Sequence, residues 1–228
     1  STDVSISKFT PDGTNLVYST YIGGSNIEYP HSLIVNSNDE LLIFGTTTST
    51  DFPIAANAYD NTINGGFDIF VTKLSSNGAI LQGSTYIGGS NDDGLNASQP
   101  LKYNYADDFR GEVIVDTNDN VYIASSTLST NFPVTPSALQ ATNSGQQDAC
   151  IFKLTPDLSA LTWSSYIGGS NNDAAYSLQF DDNGNILTTG GTVSSNFPTT
   201  AGVLHATYQG GGADGWITKI NSNASAII

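Results

Sequence analysis

Two histidines, one cysteine and 21 acidic residues are the groups from which any catalysis or metal binding in this chain would have to be built. His31 and His205 lie 10 and 39 residues after the nearest preceding Tyr-Ile-Gly-Gly run, at places that do not correspond. A serine nucleophile needs a base beside it, and it often sits on a Gly-x-Ser-x-Gly elbow, which is absent. These residues argue against a Ser/His hydrolase, and the expectation is that the chain is not an enzyme. Cys150 has no partner for a disulfide. It stands where Phe70 and Trp216 stand in related segments, which predicts a packed apolar residue and not a reactive thiol. Asn91-Asp92-Asp93, Asn118-Asp119-Asn120 and Asp181-Asp182-Asn183 could offer oxygens to calcium, with Asp92 and Asp93 the leading pair. The same residue types are what tight hairpins need, and no EF-hand spacing occurs. No cofactor is expected, with calcium as the alternative.

Six basic residues against 21 acidic ones leave a net charge of −15. That is too few cations for a nucleic-acid footprint or for docking on an anionic membrane. Four of the six are lysines placed five residues after an aspartate: Asp3/Lys8, Asp68/Lys73, Asp148/Lys153 and Asp214/Lys219. Odd spacing puts the two side chains on opposite faces of a strand, so they should serve neighbouring sheets or backbone donors, not each other. The two remaining cations, Lys102 and Arg110, share one short segment with Tyr103, Tyr105 and Phe109. Aromatic and cationic residues of this kind are favoured at interfaces, so these five are the candidate partner-binding residues. A loop that merely covers an apolar edge is the competing reading.

What must position these groups is a repeat. Tyr-Ile-Gly-Gly-Ser-Asn occurs at 21–26, 86–91 and 166–171, with spacings of 65 and 80. Phe-Pro follows at 52–53, 132–133 and 197–198, and the Asp/Lys pairs keep the same phase. The unit is about 65 residues, and the second copy carries a 15-residue insertion at 95–109 that holds most of the candidate interface. Short apolar runs bounded by turn residues, without helical periodicity, predict four strands per unit. Strand A is read at 32–36, 112–116 and 177–181, and strand B at 41–45, 121–125 and 186–190. Strand C is read at 68–74, 148–154 and 214–220, and strand D at 16–22, 80–87 and 161–167. The fold class is therefore all-β, built from four-stranded antiparallel propeller blades. Residues 1–30 supply strands C and D of a first blade and 31–94 a full blade. Residues 95–175 supply a blade with the insertion, and 176–228 a blade without its last strand. About three and a half blades are too few to close a ring. The chain is expected to be a mature or excised piece of a longer product, with exposed strand edges that recruit further strands.

The runs Leu-Val-Tyr-Ser-Thr-Tyr-Ile-Gly-Gly-Ser (16–25), Ser-Thr-Asp-Phe-Pro (49–53), Asp-Ile-Phe-Val-Thr-Lys-Leu (68–74) and Asp-Asn-Gly-Asn (182–185) resemble the SBBP β-propeller repeat. The resemblance recurs through nearly the whole chain and implies a larger, about seven-bladed propeller. It also implies a large secreted or cell-surface bacterial protein, often of Bacteroidetes, where such repeats frequently precede a type IX secretion signal. The family supplies no catalytic residues to carry over, and the insertion departs from its pattern.

The expected function is a non-catalytic binding, adhesion or scaffolding module. Its partners would be other domains of the same protein, or a protein or glycan ligand, but not nucleic acid or the membrane interior. Strand order puts the D–A and B–C connections on one side, together with the insertion, and variable loops on a rigid scaffold are where binding usually resides. A lectin-like module is the first alternative. A polysaccharide-directed enzyme with carboxylates from several blades is the second.

Overall fold

The computed structural model describes residues 1–228, except for the side chains of Tyr105 and Ala106. Thirteen strands form four antiparallel sheets in chain order. The first pairs β1 (Val4–Phe9) with β2 (Leu16–Ile22). The second runs β3 (Glu28–Val35), β4 (Leu41–Thr47), β5 (Asp68–Leu74) and β6 (Leu81–Ile87). The third runs β7 (Glu112–Val115), β8 (Val121–Thr127), β9 (Asp148–Leu154) and β10 (Leu161–Ile167). The last has β11 (Asp173–Phe180), β12 (Ile186–Thr192) and β13 (Asp214–Ile220). Each four-stranded sheet is a simple meander, which is what propeller-like blades require.

Strands C and D fall within a residue of the sequence reading. Strand B runs two residues further in every sheet, and β3 and β11 begin four residues earlier than expected. The early start has a cause in the ladder. Glu28 and Asp173 pair with Thr47 and Thr192, so the polar residues after the Gly-Gly bend already belong to the sheet.

Alternating side chains feed two different cores. Leu42 and Phe44 of β4, with Ile69 and Val71 of β5, pack against Val113, Ile123, Cys150 and Phe152 of the third sheet. Their neighbours Leu41, Ile43 and Phe70 face Val4, Ile6 and Ile22 of the first sheet. A third core joins Ile151 and Trp163 to Leu178, Ile186 and Trp216. A sheet with two apolar faces cannot bury both alone, so stacking of sheets is where the hydrophobic stabilisation arises.

The B–C connection does more than cross one side of the sheet. It turns back along the outer edge of strand D, where Ala55 N donates to Ser84 O at 3.1 Å and Tyr86 N to Asp60 O at 3.0 Å. The third sheet repeats this with Thr135 N to Ser164 O and Tyr166 N to Gln140 O, each at 3.2 Å. Edges of β6 and β10 that would otherwise be open to another chain are thereby covered. The four sheets do not close on themselves. Tyr21 (76% exposed) on the first sheet and Ile217 (78%) on the last are uncovered, whereas their equivalents Tyr86, Tyr166, Val71 and Ile151 are buried.

Candidate functional site

The recurring motif residues are spent on joining sheets. Ser25 N and Oγ donate to Asp51 Oδ1 at 2.8 and 3.0 Å. Ser90 does the same to Asn131 Oδ1, both at 2.9 Å, and Ser170 to Asn196 Oδ1 at 2.8 and 2.9 Å. Backbone N–H groups of Asn26, Asn91 and Asn171 donate to the hydroxyls of Ser49, Ser129 and Ser194. The motif tyrosine donates to a backbone carbonyl below the Phe-Pro loop: Tyr86 to Ser49 O at 2.7 Å and Tyr166 to Ser129 O at 2.8 Å. Each D–A linker is thus fastened to the B–C loop of the sheet it enters.

Beneath these loops lie buried carboxyls. Asp68 accepts from Asn64 N (2.8 Å) and Gly65 N (3.1 Å). Asp148 accepts from Ser144 N (2.9 Å), Gly145 N (3.2 Å) and Gln140 Nε2 (2.8 Å). The expectation that these aspartates serve backbone donors describes what they do. The neighbouring set was not read from the sequence. Glu28, Asp93 and Asp173 each sit seven residues after a motif tyrosine and are 2%, 0% and 0% exposed. Aligning the repeats at that position would have exposed the signal. Asp93 accepts from Gly89 N (2.6 Å), Ser129 Oγ (2.9 Å) and Thr127 Oγ1. Asp173 accepts from Gly169 N (2.7 Å) and Ser194 Oγ (2.8 Å).

For calcium, Asp92 and Asp93 face different donors: Asp92 Oδ1 takes Phe67 N at 3.0 Å, while Asp93 is ringed by the three donors above. A cation would have to displace N–H and O–H donors that already point at these oxygens. Among the described residues no group of three or more His, Cys, Asp or Glu side chains is arranged to hold a metal.

The repeated lysines reach acids at the A–B turns: Lys73 to Glu40 at 3.5 Å, Lys153 to Asp116 at 3.5 Å and Lys219 to Asp181 at 2.8 Å. Lys153 also lies 4.8 Å from the Tyr122 ring centre. The Lys219 ammonium and the Asn185 side chain hold Asp181 well below the usual carboxylate range. Cys150 is fully buried in the core between the second and third sheets, and burial pushes its thiol up.

The insertion folds back on the inner strands as two short 3-10 turns, at Gln99–Leu101 and Tyr105–Phe109. Of the five candidate interface residues, three are engaged within the chain. The Phe109 ring lies 4.0 Å from that of Tyr29 and 5.9 Å from that of His31. Lys102 is paired with Asp108. Arg110 meets Asp107 at 3.2 Å and stands 4.3 Å over the Tyr176 ring. Tyr103 is 77% exposed, and the side chain of Tyr105 lies outside the described residues. Buried Leu101 receives the Tyr176 hydroxyl on its carbonyl at 3.1 Å. The insertion therefore bridges β3 and β11 across β7. His31 is partly buried beside Phe44 and Phe109, and this burial pushes its imidazole down to about 3.

A separate concavity of about 410 Å³ opens where the second sheet meets the third. It is lined by Tyr59, Asp60, Asn64, Asn131, Pro133 and the backbone of Gly88 and Gly89. Asp60 Oδ2 is held by Asn64 Nδ2 at 2.6 Å, and Asn131 by Ser90, so the polar lining is pre-oriented.

The pattern of a β-propeller repeat, SBBP, matches residues 162–198. That segment is similar to the SBBP repeat. The match runs from β10 through β11 and β12 to Phe197-Pro198, so it spans the motif, the linker and the inner strands of one sheet junction. The other sheets show the same anchors in the same phase. No curated protein matches the chain. Among the described residues no helix is long and apolar enough to cross a membrane.

Proposed function

We propose that this chain is a non-catalytic binding and scaffolding part of an SBBP propeller in a large secreted or cell-surface bacterial protein. The observation that carries this reading is the pre-oriented polar concavity between the second and third sheets, next to motif residues that are otherwise consumed by structure. A rigid set of stacked sheets that leaves a polar hollow lined by Tyr59 and an exposed Tyr103 on the insertion fits recognition better than turnover. The histidine environments support the same reading, because His31 is partly buried among aromatic rings and His205 is exposed in the loop between β12 and β13. The net charge of −15 favours a partner that is neither nucleic acid nor an anionic membrane.

The ring is completed, in this reading, by further blades of the same repeat, to about the seven that SBBP resemblance implies. Tyr21 is the supporting residue: a further A–B strand pair with its Phe-Pro loop would bury it as Tyr86 and Tyr166 are buried. The glycan-binding alternative draws on one specific feature, the Tyr59 ring beside Asp60, Asn64 and Asn131. Aromatic faces with fixed amide and carboxylate groups suit hydroxyl-rich ligands.

The two surfaces are separable by experiment. An array of neutral and acidic oligosaccharides and of surface-protein fragments is probed with the wild-type chain, Tyr59→Ala, Asn131→Ala and Tyr103→Ala. Loss of about tenfold or more in affinity on changing Tyr59 or Asn131 places recognition in the concavity. Loss with Tyr103→Ala places it on the insertion. Binding unaffected by all three overturns both placements.

A further inference from the structure

The carboxyl groups at the sheet junctions have no task in the binding reading. Asp68 opens β5 of the second sheet, and Asp93 bridges to Thr127 of the third. Asp148 opens β9 of the third sheet, and Asp173 opens β11 of the last. Each pair therefore spans two consecutive sheets, and all four residues are 0% exposed. We propose that each buried pair takes up a proton in mildly acidic solution and acts as a clasp between sheets that is strengthened by acid.

The geometry is clearest at Gly168. A Cβ placed there would lie 2.7 Å from Asp148 Oδ1 and 2.9 Å from Asp173 Oδ2, so the two carboxyls close on the same point. Gly88 has Asp68 Oδ1 at 2.6 Å, and Gly89 N, the next backbone donor, goes to Asp93. Glycine is needed at these positions because any side chain would displace a carboxyl. The pair at the open end, Asp3 with Glu28 around Gly23, repeats the arrangement, but Asp3 is exposed.

None of the five ion pairs among the described residues involves these four aspartates. Two ionised carboxylates buried near each other without a cation repel, and protonating one of them relieves this. Asp173 Oδ2, the oxygen nearest Gly168, accepts from Gly169 N and Ser194 Oγ, which leaves Oδ1 as the oxygen that can carry a proton. The other titratable groups facing the pairs are Asp60 and Asp92 near the first, and Cys150 of β9, whose thiol feels Asp93 and Asp148. Tyr86 and Tyr166 also face them, and burial pushes both phenols up.

The direction of the pH effect follows. Burial, aided by the neighbouring carboxylate, pushes Asp68 up to about 7 and Asp148 up to about 6. Burial pushes Asp93 up to about 6 and raises Asp173. The folded chain then binds more protons than the unfolded one above about pH 4. The stabilisation is fully present below that value and is lost as pH rises through the folded pKa values. His31 acts in the opposite sense, since burial keeps it neutral when folded and it charges on unfolding below about pH 6.5. Four carboxyls against one imidazole leave the balance on the acid side.

Thermal unfolding at micromolar concentration, at about pH 5.5 and about pH 8 and constant ionic strength, tests the clasp. The melting temperature should be higher at the lower pH by about 5 °C. In Asp173→Asn the amide oxygen can keep the Gly169 and Ser194 contacts, and its NH2 takes the place of a protonated Oδ1. That variant should melt higher than wild type at about pH 8 and lose about half of the pH difference. A wild-type melting temperature that is equal or higher at the alkaline pH overturns the proposal, as does a variant that keeps the full difference. If the variant does not fold, unfolding the wild-type chain in unbuffered denaturant at about pH 6 decides the matter. About one net proton per molecule should be released after the uptake by His31. No release, or net uptake, overturns the proposal.

Discussion

Tyr166 shows how one hydroxyl can hold a sheet to its loop. Its O–H donates to Ser129 O at 2.8 Å and accepts from Phe132 N at 2.9 Å, with no exposed surface. Replacing it by phenylalanine keeps the ring in the core and strands two buried backbone groups. Tyr166→Phe should cost about 2 kcal/mol in denaturant unfolding, because an unsatisfied buried group loses its full desolvation compensation. Tyr21→Phe, at the exposed copy of the same motif, should change stability by less than about 0.5 kcal/mol. Equal effects at the two sites would mean that the hydroxyl's role does not depend on the loop packed against it. The acidic residues divide by surroundings in the same way. Asp116 lies partly buried, which opposes ionisation, but the Asn120 side chain, the Asn118 and Asn120 backbone and Lys153 outweigh this and hold its carboxyl below the usual range. Its contribution to stability is present above the unfolded value and is lost only as pH falls through the lower folded one.

Among the elements, the insertion is the one whose role the fold redefines. Its composition suggested an interface, and Tyr103 remains free for that. Leu101 is buried, however, and Phe109 fills the space beside Tyr29 and His31, while Arg110 reaches Tyr176 on the last sheet. Deleting residues 95–109 should therefore lower stability by about 3 kcal/mol, the burial of roughly two large apolar side chains. Calorimetry on the deletion variant checks this, and an unchanged melting temperature would show that the bridge between β3 and β11 carries no stabilisation. The C–D turns give a second lesson about elements. The left-handed position is glycine at Gly13 and Gly78 but Leu158 and Ala224 in the later sheets, at φ of 61° and 56°. Leu158 accepts that strained backbone because its side chain is wholly buried in the core between the second and third sheets.

The whole molecule is a stack with two unfinished faces. Tyr21 and Val17 on the first sheet, and Leu204 (91% exposed) with Ile217 on the last, are large apolar groups in water. The equivalents of Tyr21 and Ile217 within the stack are buried. The isolated 228 residues should therefore self-associate at high micromolar concentration, and Tyr21→Lys with Ile217→Lys should reduce it. Sedimentation velocity gives the answer, and a monomer that stays monodisperse at about 100 µM would contradict it.

Much of this architecture is legible in the amino-acid sequence alone, because a repeat read in phase constrains itself. Tyr-Ile-Gly-Gly-Ser-Asn, Phe-Pro and the Asp/Lys pairs have concordant spacings, and strands C and D follow to within a residue. Local chemistry decides those features: alternating apolar residues, turn-forming Asn, Asp and Gly, and an aspartate at a fixed strand start. The early start of β3 and β11 is not legible, because polar residues such as Glu28 and Asp173 enter a strand only when a partner threonine sits opposite. The fate of Lys102, Phe109 and Arg110 is not legible either. Whether a cation or an aromatic ring faces outward depends on which sheets lie beside it, and Tyr29, Asp107 and Tyr176 are brought there only by stacking. The carboxyl pairs belong to the same class. Each aspartate is an ordinary turn or strand residue in sequence, and only the packing of one sheet on the next buries them at the junctions, with Asp148 and Asp173 both against Gly168.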